Sequence, residues 1–172
     1  AIPEAFLTAH DALEQLAVEK GEWDLVHAIG SGVGTAALQL IRARGARCVG
    51  TSRTRDKLDR ARALGLDAGI DITREELVAA VRKVTGRGVS AVVDLVAGAA
   101  FTDTLKSMTP KGRLIVVGLT GGGKTEVDLS VVLRNRLRIV GTVLRSRSSE
   151  EKSALTKSFL NGPLALFDSG EL

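Results

Sequence analysis

The sequence predicts an α/β fold, a doubly wound parallel sheet in three αβα layers, and three observations predict it. Short apolar runs suited to buried strands alternate with amphipathic stretches along most of the chain. A glycine-rich turn joins the first of those runs to a helix start, and Gly45 and Gly65 follow later helices where a C-terminal stop belongs. With 172 residues, 44% of them hydrophobic, the chain has enough material for one ordinary core and hence one domain, residues 1–172.

In order, Ile2 to Glu19 reads as a helix opened by Pro3, with apolar residues at Phe6, Leu7, Leu13, Leu16 and Ala17. So abrupt a start, with no preceding turn or cap, predicts a chain cut from something longer. Leu25 to Ile29 reads as the first strand, about Gly32 to Arg44 as a helix, and Arg47 to Thr51 as the second strand. A helix from Thr54 to Leu64 follows, then a strand at Ala68 to Asp71, a helix at Glu75 to Val84 and a strand at Ala91 to Val96. The last elements are a helix at Phe101 to Ser107 and strands at Arg113 to Val117 and Leu137 to Thr142. Such sheets cross over with one hand and bind ligands beyond the carboxyl ends of their strands. The loops of interest are therefore Gly30 to Val33, Ser52 to Lys57, Val96 to Gly98, Gly118 to Thr120 and Thr142 to Leu144.

Composition excludes several classes. No window is apolar enough for a membrane span and no secretory leader precedes the first helix, so the chain reads as soluble and cytoplasmic. The single Cys48 rules out a disulfide framework and, in an apolar run, reads as a buried small side chain. A formal charge of +4 with aromatics at 3% and no tyrosine offers no stacking platform for nucleic acid. No Ser-His-Asp set or paired carboxylates appear, so no catalytic residue is assigned, and His10 and His27 without a nearby cysteine make no zinc set. His27, in an apolar run, reads as a hydrogen-bonded structural histidine.

The turn Gly30-Ser31-Gly32-Val33-Gly34 has a definite chemistry. Free backbone N–H groups and the positive end of a helix dipole form a pyrophosphate site, and small residues let the ligand approach. Gly34 and Ala37 stand where a dinucleotide fingerprint needs close packing of helix on strand, although Gly-x-Gly-x-x-Gly counted from Gly30 ends on Thr35. A flexible turn between any strand and helix is the competing reading of the cluster alone. Enzymes selective for NAD place an acid at the end of the second strand, where it accepts hydrogen bonds from the ribose. Here Ser52 stands in that place, followed by Arg53, Arg55 and Lys57, which attract a 2′-phosphate. The cofactor predicted is NADP(H).

Several stretches together resemble the cofactor-binding Rossmann domain of zinc-independent medium-chain dehydrogenase/reductases, in the branch of NADPH-dependent quinone oxidoreductases and zeta-crystallins. They are residues 1–10 (Ala-Ile-Pro-Glu-Ala-Phe-Leu-Thr-Ala-His), Leu25-Val26-His27-Ala28, Ser31-Gly32-Val33-Gly34 and Leu144-Arg145-Ser146-Arg147. The resemblance covers essentially the whole chain. It implies that Ser31, Gly32 and Val33 face the pyrophosphate, Ser52, Arg53 and Lys57 the 2′-phosphate, and Thr8 the nicotinamide side. It further implies that Gly118, Leu119, Thr120, Thr142, Val143 and Leu144 line the nicotinamide and its ribose, with Gly98 near the cofactor. Many relatives carry an aromatic or polar residue where this chain has Ile72 and a tyrosine where it has His10, which leaves NADP affinity resting on the basic side chains. Zinc-dependent relatives bear a metal-binding cysteine where this chain has Glu4. The implied activity is transfer of reducing equivalents from NADPH to a small quinone or enone. The substrate-binding GroES-like domain is absent from this chain, so cofactor binding without efficient turnover is expected. A homodimer through Leu137 to Thr142 is also implied.

Three alternatives stand beside that reading. An enoyl reductase of the same fold and a non-catalytic nucleotide sensor would share these residues. Gly118-Leu-Thr-Gly-Gly-Gly-Lys124-Thr125 also satisfies the P-loop expression, which would make the chain a nucleoside triphosphatase if Lys124 and Thr125 opened a helix and an acid such as Asp94 held magnesium. Arg145 and Arg147 read as surface charges.

Overall fold

The computed structural model describes residues 2–169. A π-helical turn, Ile2–Phe6, runs into α1 (Leu7–Leu16), which ends where Ala17 turns left-handed at φ 47°. There follow β1 (Trp23–Val26), α2 (Gly32–Ala43), β2 (Arg47–Ser52), α3 (Arg55–Ala63), β3 (Ala68–Asp71), α4 (Leu77–Thr85) and β4 (Val89–Asp94). The second half adds α5 (Phe101–Lys106), β5 (Met108–Val116), α6 (Leu129–Asn135), β6 (Arg138–Gly141), α7 (Ser149–Asn161) and α8 (Leu164–Asp168).

The strands form one six-stranded, wholly parallel sheet in the order β3-β2-β1-β4-β5-β6. The strand order reverses between β1 and β4, the place where such sheets open a crevice at their carboxyl ends. Side chains alternate across the sheet, so Val26, Cys48, Val93 and Ile115 join the core beneath α1, α2 and α3. Leu25, Val49, Val92 and Leu114 join the opposite core with Val81, Leu105 and Val131 of α4, α5 and α6. This is the doubly wound, three-layer Rossmann arrangement.

Three differences from the sequence reading have local causes. β1 stops at Val26 because the chain turns there: His27 and Ile29 donate to the Val93 and Thr51 carbonyls at 3.1 and 2.9 Å, and Ala28 between them sits at φ 49°. β5 starts early, at Met108, through an irregular step in its pairing with β4 around Lys111, whose φ is 63°. Helices α6, α7 and α8 lie where no helix is expected from periodicity. α6 is capped by Asp128 accepting from the Ser130 N–H at 2.8 Å, and α7 by a reciprocal box in which Ser148 and Glu151 each accept the other's backbone N–H. α7 and α8 dock on α1 through edge-on aromatic contacts, Phe6 with Phe167 at 4.9 Å and His10 with Phe159 at 5.7 Å.

Cys48 is buried, as expected, and burial pushes its thiol upward. Among the described residues no helix is long and apolar enough to cross a membrane.

Gly34 fixes how closely α2 lies on the turn after β1. A Cβ placed there would come 2.6 Å from the Ala28 carbonyl oxygen and 2.8 Å from that of Ile29, both backbone atoms with no room to move. Gly34→Ala, which in an exposed helix would stabilise, is therefore expected to destabilise by roughly 1–3 kcal/mol in urea unfolding, and a more stable variant would refute the packing argument.

Asp24 supplies a second handle. It is buried beneath α1 and α2 with neither carboxylate oxygen hydrogen-bonded, and burial, reinforced by Glu22, raises its pKa from 3.8 to about 8. Between about pH 4 and pH 8 the folded chain keeps this proton while the unfolded chain has lost it, so the contribution of Asp24 to stability falls as pH rises through that window and levels off above it, against the opposite contribution of the buried His10 and His27, whose pKa values are lowered. In Asp24→Asn that contribution should vanish, so stability at pH 8 should rise relative to that at pH 4 when compared with the original chain. Unfolding midpoints across this range, read from the neighbouring Trp23, check it; parallel curves for the two proteins would contradict it.

Candidate functional site

The carboxyl ends of β1, β4, β5 and β6 open into a cavity of about 1000 Å³. Its first wall is the turn after β1. Ser31 is the N-cap of α2, its hydroxyl oxygen accepting from the Gly34 N–H at 3.1 Å, so Ser31, Gly32 and Val33 present the start of a twelve-residue helix to the cavity. The positive end of that helix dipole favours an anion there.

Gly118 and Thr120, beyond β5, form a second wall. Gly118 packs on the β4 loop so closely that a Cβ would lie 2.8 Å from the Leu95 carbonyl oxygen, and the Thr120 hydroxyl donates to that carbonyl at 3.0 Å. Thr142, Val143 and Leu144, beyond β6, form a third, and Thr8 of α1 closes the circle. These residues come from four separate parts of the chain and meet in one space.

The other residues singled out from sequence lie outside it. Leu119 is 57% exposed and does not line the cavity. Gly98, at φ 60°, lies behind the wall, where a Cβ would overlap the Gly121 carbonyl. Ser52 ends β2, Arg53 follows it and Lys57 lies in the first turn of α3. Ser52 is buried and its hydroxyl oxygen accepts from the Thr54 N–H at 3.1 Å; Arg53 and Lys57 are exposed. Thr54 is the N-cap of α3 but makes no side-chain capping bond, and the Lys57 stem lies across Gly30, where a Cβ would meet it at 2.7 Å. The basic helix start and the glycine turn thus touch. Ile72 adjoins them, donating to the Ser52 carbonyl at 3.1 Å, whereas His10 faces α7, with Nε2 3.0 Å from the Ser158 hydroxyl.

Sequence reasoning misses the contribution of α7. Lys152, Leu155 and Thr156 line the cavity, as do Glu4, Leu7 and Arg145. A signal for α7 exists in Ser148-Ser149-Glu150-Glu151, which fits the capping-box pattern that the structure forms. Arg147 corrects the reading as a surface charge: it is paired with the buried Asp11.

Two buried polar groups shape the site without facing it. The Thr104 hydroxyl donates to the Ala100 carbonyl at 2.8 Å, so it accepts from His27 Nε2–H, also at 2.8 Å; Nδ1 then accepts from Thr51 at 2.9 Å. Burial lowers the His27 pKa, and this neutral form ties the turn to β2 and α5. One oxygen of Asp94 accepts from the Val96 and Ala97 N–H groups at 2.8 and 2.9 Å, holding Ala97 at φ 55°, ψ −140°, which an alanine rarely adopts.

That bonding bears on the P-loop alternative. Lys124 and Thr125 lie in irregular chain, the next helix begins only at Leu129, and Asp94 is buried and spent on its own loop. The geometry a P-loop requires is not formed. Among the described residues, no three His, Cys, Asp or Glu side chains group as a metal would need.

Residues 32–159 match the family described as zinc-binding dehydrogenase. Quinone oxidoreductase-like protein 2 of Bos taurus is 31% identical over 144 residues, 82% of this chain and 41% of that protein. Among solved structures, the quinone oxidoreductase of Thermus thermophilus, described with its NADPH complex, superimposes with a TM-score of 0.80 at 28% identity, covering 92% of this chain and 50% of that one. An NAD-dependent alcohol dehydrogenase superimposes with a TM-score of 0.85 at 34% identity, covering 100% and 48%. The chain spans about half the length of the relatives it matches.

Proposed function

The chain belongs to the zinc-binding dehydrogenase family, and from that premise we propose that it is the NADP(H)-binding domain of an oxidoreductase that reduces a quinone or another conjugated carbonyl. The observation that carries this reading is the convergence of Thr8, Ser31–Val33, Gly118, Thr120 and Thr142–Leu144 on one cavity at the switch point of the sheet.

The residues fit the cofactor. The turn at the start of α2 would hold the pyrophosphate, with Gly34 letting the helix come down onto its strand. The nicotinamide half would lie in the cavity against the apolar side chains of Leu7, Leu95, Val117 and Leu144. Ser52 at the end of β2, with Arg53 and Lys57 about the uncapped start of α3, would hold the 2′-phosphate, and β2 itself ends on a hydroxyl where an NAD-selective site has an acid. When bound, the nicotinamide would supply the hydride; the chain would supply position and an apolar wall.

Calorimetric titration with NADPH and NADH in parallel tests the reading. NADPH should bind at least about tenfold more tightly, and Arg53→Ala and Lys57→Ala should each weaken NADPH by about tenfold or more, the scale of a charge-assisted hydrogen bond, while leaving NADH within about twofold. Equal affinities would sink the choice of NADP(H), and no binding of either nucleotide would sink the cofactor-domain assignment.

Pairing of two copies through β6 belongs to the same reading. β6 is the sheet's edge, with Ile139 exposed, and Leu129 and Leu133 of the adjacent α6 are 72% and 79% exposed. Sedimentation should give twice the 18.1 kDa of one chain; a monomer at high concentration would exclude this interface.

A further inference from the structure

Arg147 makes the most highly connected polar contact near the cavity. Its Nη1 donates to Asp11 Oδ1 at 2.6 Å and its Nη2 to Asp11 Oδ2 at 2.8 Å, a bidentate pair. The same Nη2 donates to the Thr142 hydroxyl at 2.9 Å, and that hydroxyl donates to Asp11 Oδ2 at 2.7 Å. Gln15 Nε2 adds a fourth donor to the carboxylate at 2.9 Å. Asp11 and Thr142 are 5% and 9% exposed.

The position of this network matters more than its number of bonds. Asp11 stands one helical turn after Thr8 on α1, and Thr142 opens the segment Thr142–Leu144; Thr8 and that segment are facing walls of the cavity. Beyond Thr142, whose N–H donates to the Val116 carbonyl at 3.0 Å, the backbone of residues 143–146 makes no ladder bonds with β5. The spacing between α1 and this segment is therefore set by two links to one buried carboxylate, the Thr142 hydroxyl and the planar guanidinium of Arg147, of which only the second reaches past Thr142. A buried carboxylate deprived of its partner is strongly disfavoured, so the pair has one stable geometry.

We propose that Asp11 and Arg147 are positioning residues for the nicotinamide half of the cofactor, acting through Thr142 to hold the wall beyond β6 at a fixed distance from α1. The proposal rests on the NADP(H) reading above, and it separates the cofactor's two halves: the adenosine end, held past β2 and at α3, is outside the reach of this clamp.

The test compares NADPH with adenosine 2′,5′-bisphosphate, which has the adenosine end and lacks the nicotinamide half. In Arg147→Met the affinity for NADPH should fall at least tenfold while that for adenosine 2′,5′-bisphosphate stays within twofold of the original chain. Arg147→Lys, which keeps the charge but cannot form the planar fork, should fall in between, and it decides the matter if Arg147→Met does not fold. Equal losses for both ligands would reduce the pair to a general staple and overturn the proposal, as would unchanged NADPH affinity. Failure of the original chain to bind either ligand would instead overturn the cofactor reading on which it stands.

Discussion

The contact on which the structure turns is backbone against backbone, where α2 comes down on the carbonyls of Ala28 and Ile29 at a position that tolerates no side chain. That approach fixes where the helix dipole ends. Because β1 is the central strand from which the sheet's order runs both ways, it also fixes how the ends of β2 and β4 stand beside the helix start. Ala28 takes a left-handed conformation to make the turn, and His27 and Ile29 on either side of it reach the neighbouring strands. Neutral His27, bridging Thr51 and Thr104, locks this corner from beneath.

The electrostatics of the cavity follow from that corner. The Ser31 hydroxyl satisfies one amide at the start of α2, and the stem of Lys57 lies over Gly30, carrying positive charge from α3 to the edge of the same turn. Neighbouring loops are stiffened by buried carboxylates used as backbone acceptors or ion-pair partners. Asp94 does this for the loop after β4, and Asp11 for the segment after β6. Asp24, unpartnered at the far end of β1, belongs to no such arrangement and is kept neutral by its surroundings.

Much of this was legible in the sequence wherever one local rule governs. Alternation of apolar runs and amphipathic stretches marks the six strands and the helices between the first five, and β3 spans the residues expected for it, Ala68–Asp71. The glycine turn and the basic residues after β2 are likewise visible as residue types at fixed offsets. What escapes is set by distance in the chain. Arg147 looks like a surface charge because its partner, Asp11, is 136 residues away. α6 is too short, and α7 too polar, for periodicity to reveal them, although the capping box of α7 was there to be read. That β1 ends three residues before Ile29 was hidden because Leu25, Val26, Ala28 and Ile29 are apolar both in the strand and in the turn that follows it.

The docking of α7 gives the cavity a dependence on the chain's far end. Lys152, Leu155 and Thr156 form part of its lining, and α7 is anchored to α1 through Phe159 and His10, with α8 adding Phe167 against Phe6. A ligand filling the cavity would brace these C-terminal helices, and loosening their aromatic seam would weaken the ligand by the same free energy, whichever event came first. Helices α7 and α8 thus form a rim whose docking and the ligand's binding are one shared free energy.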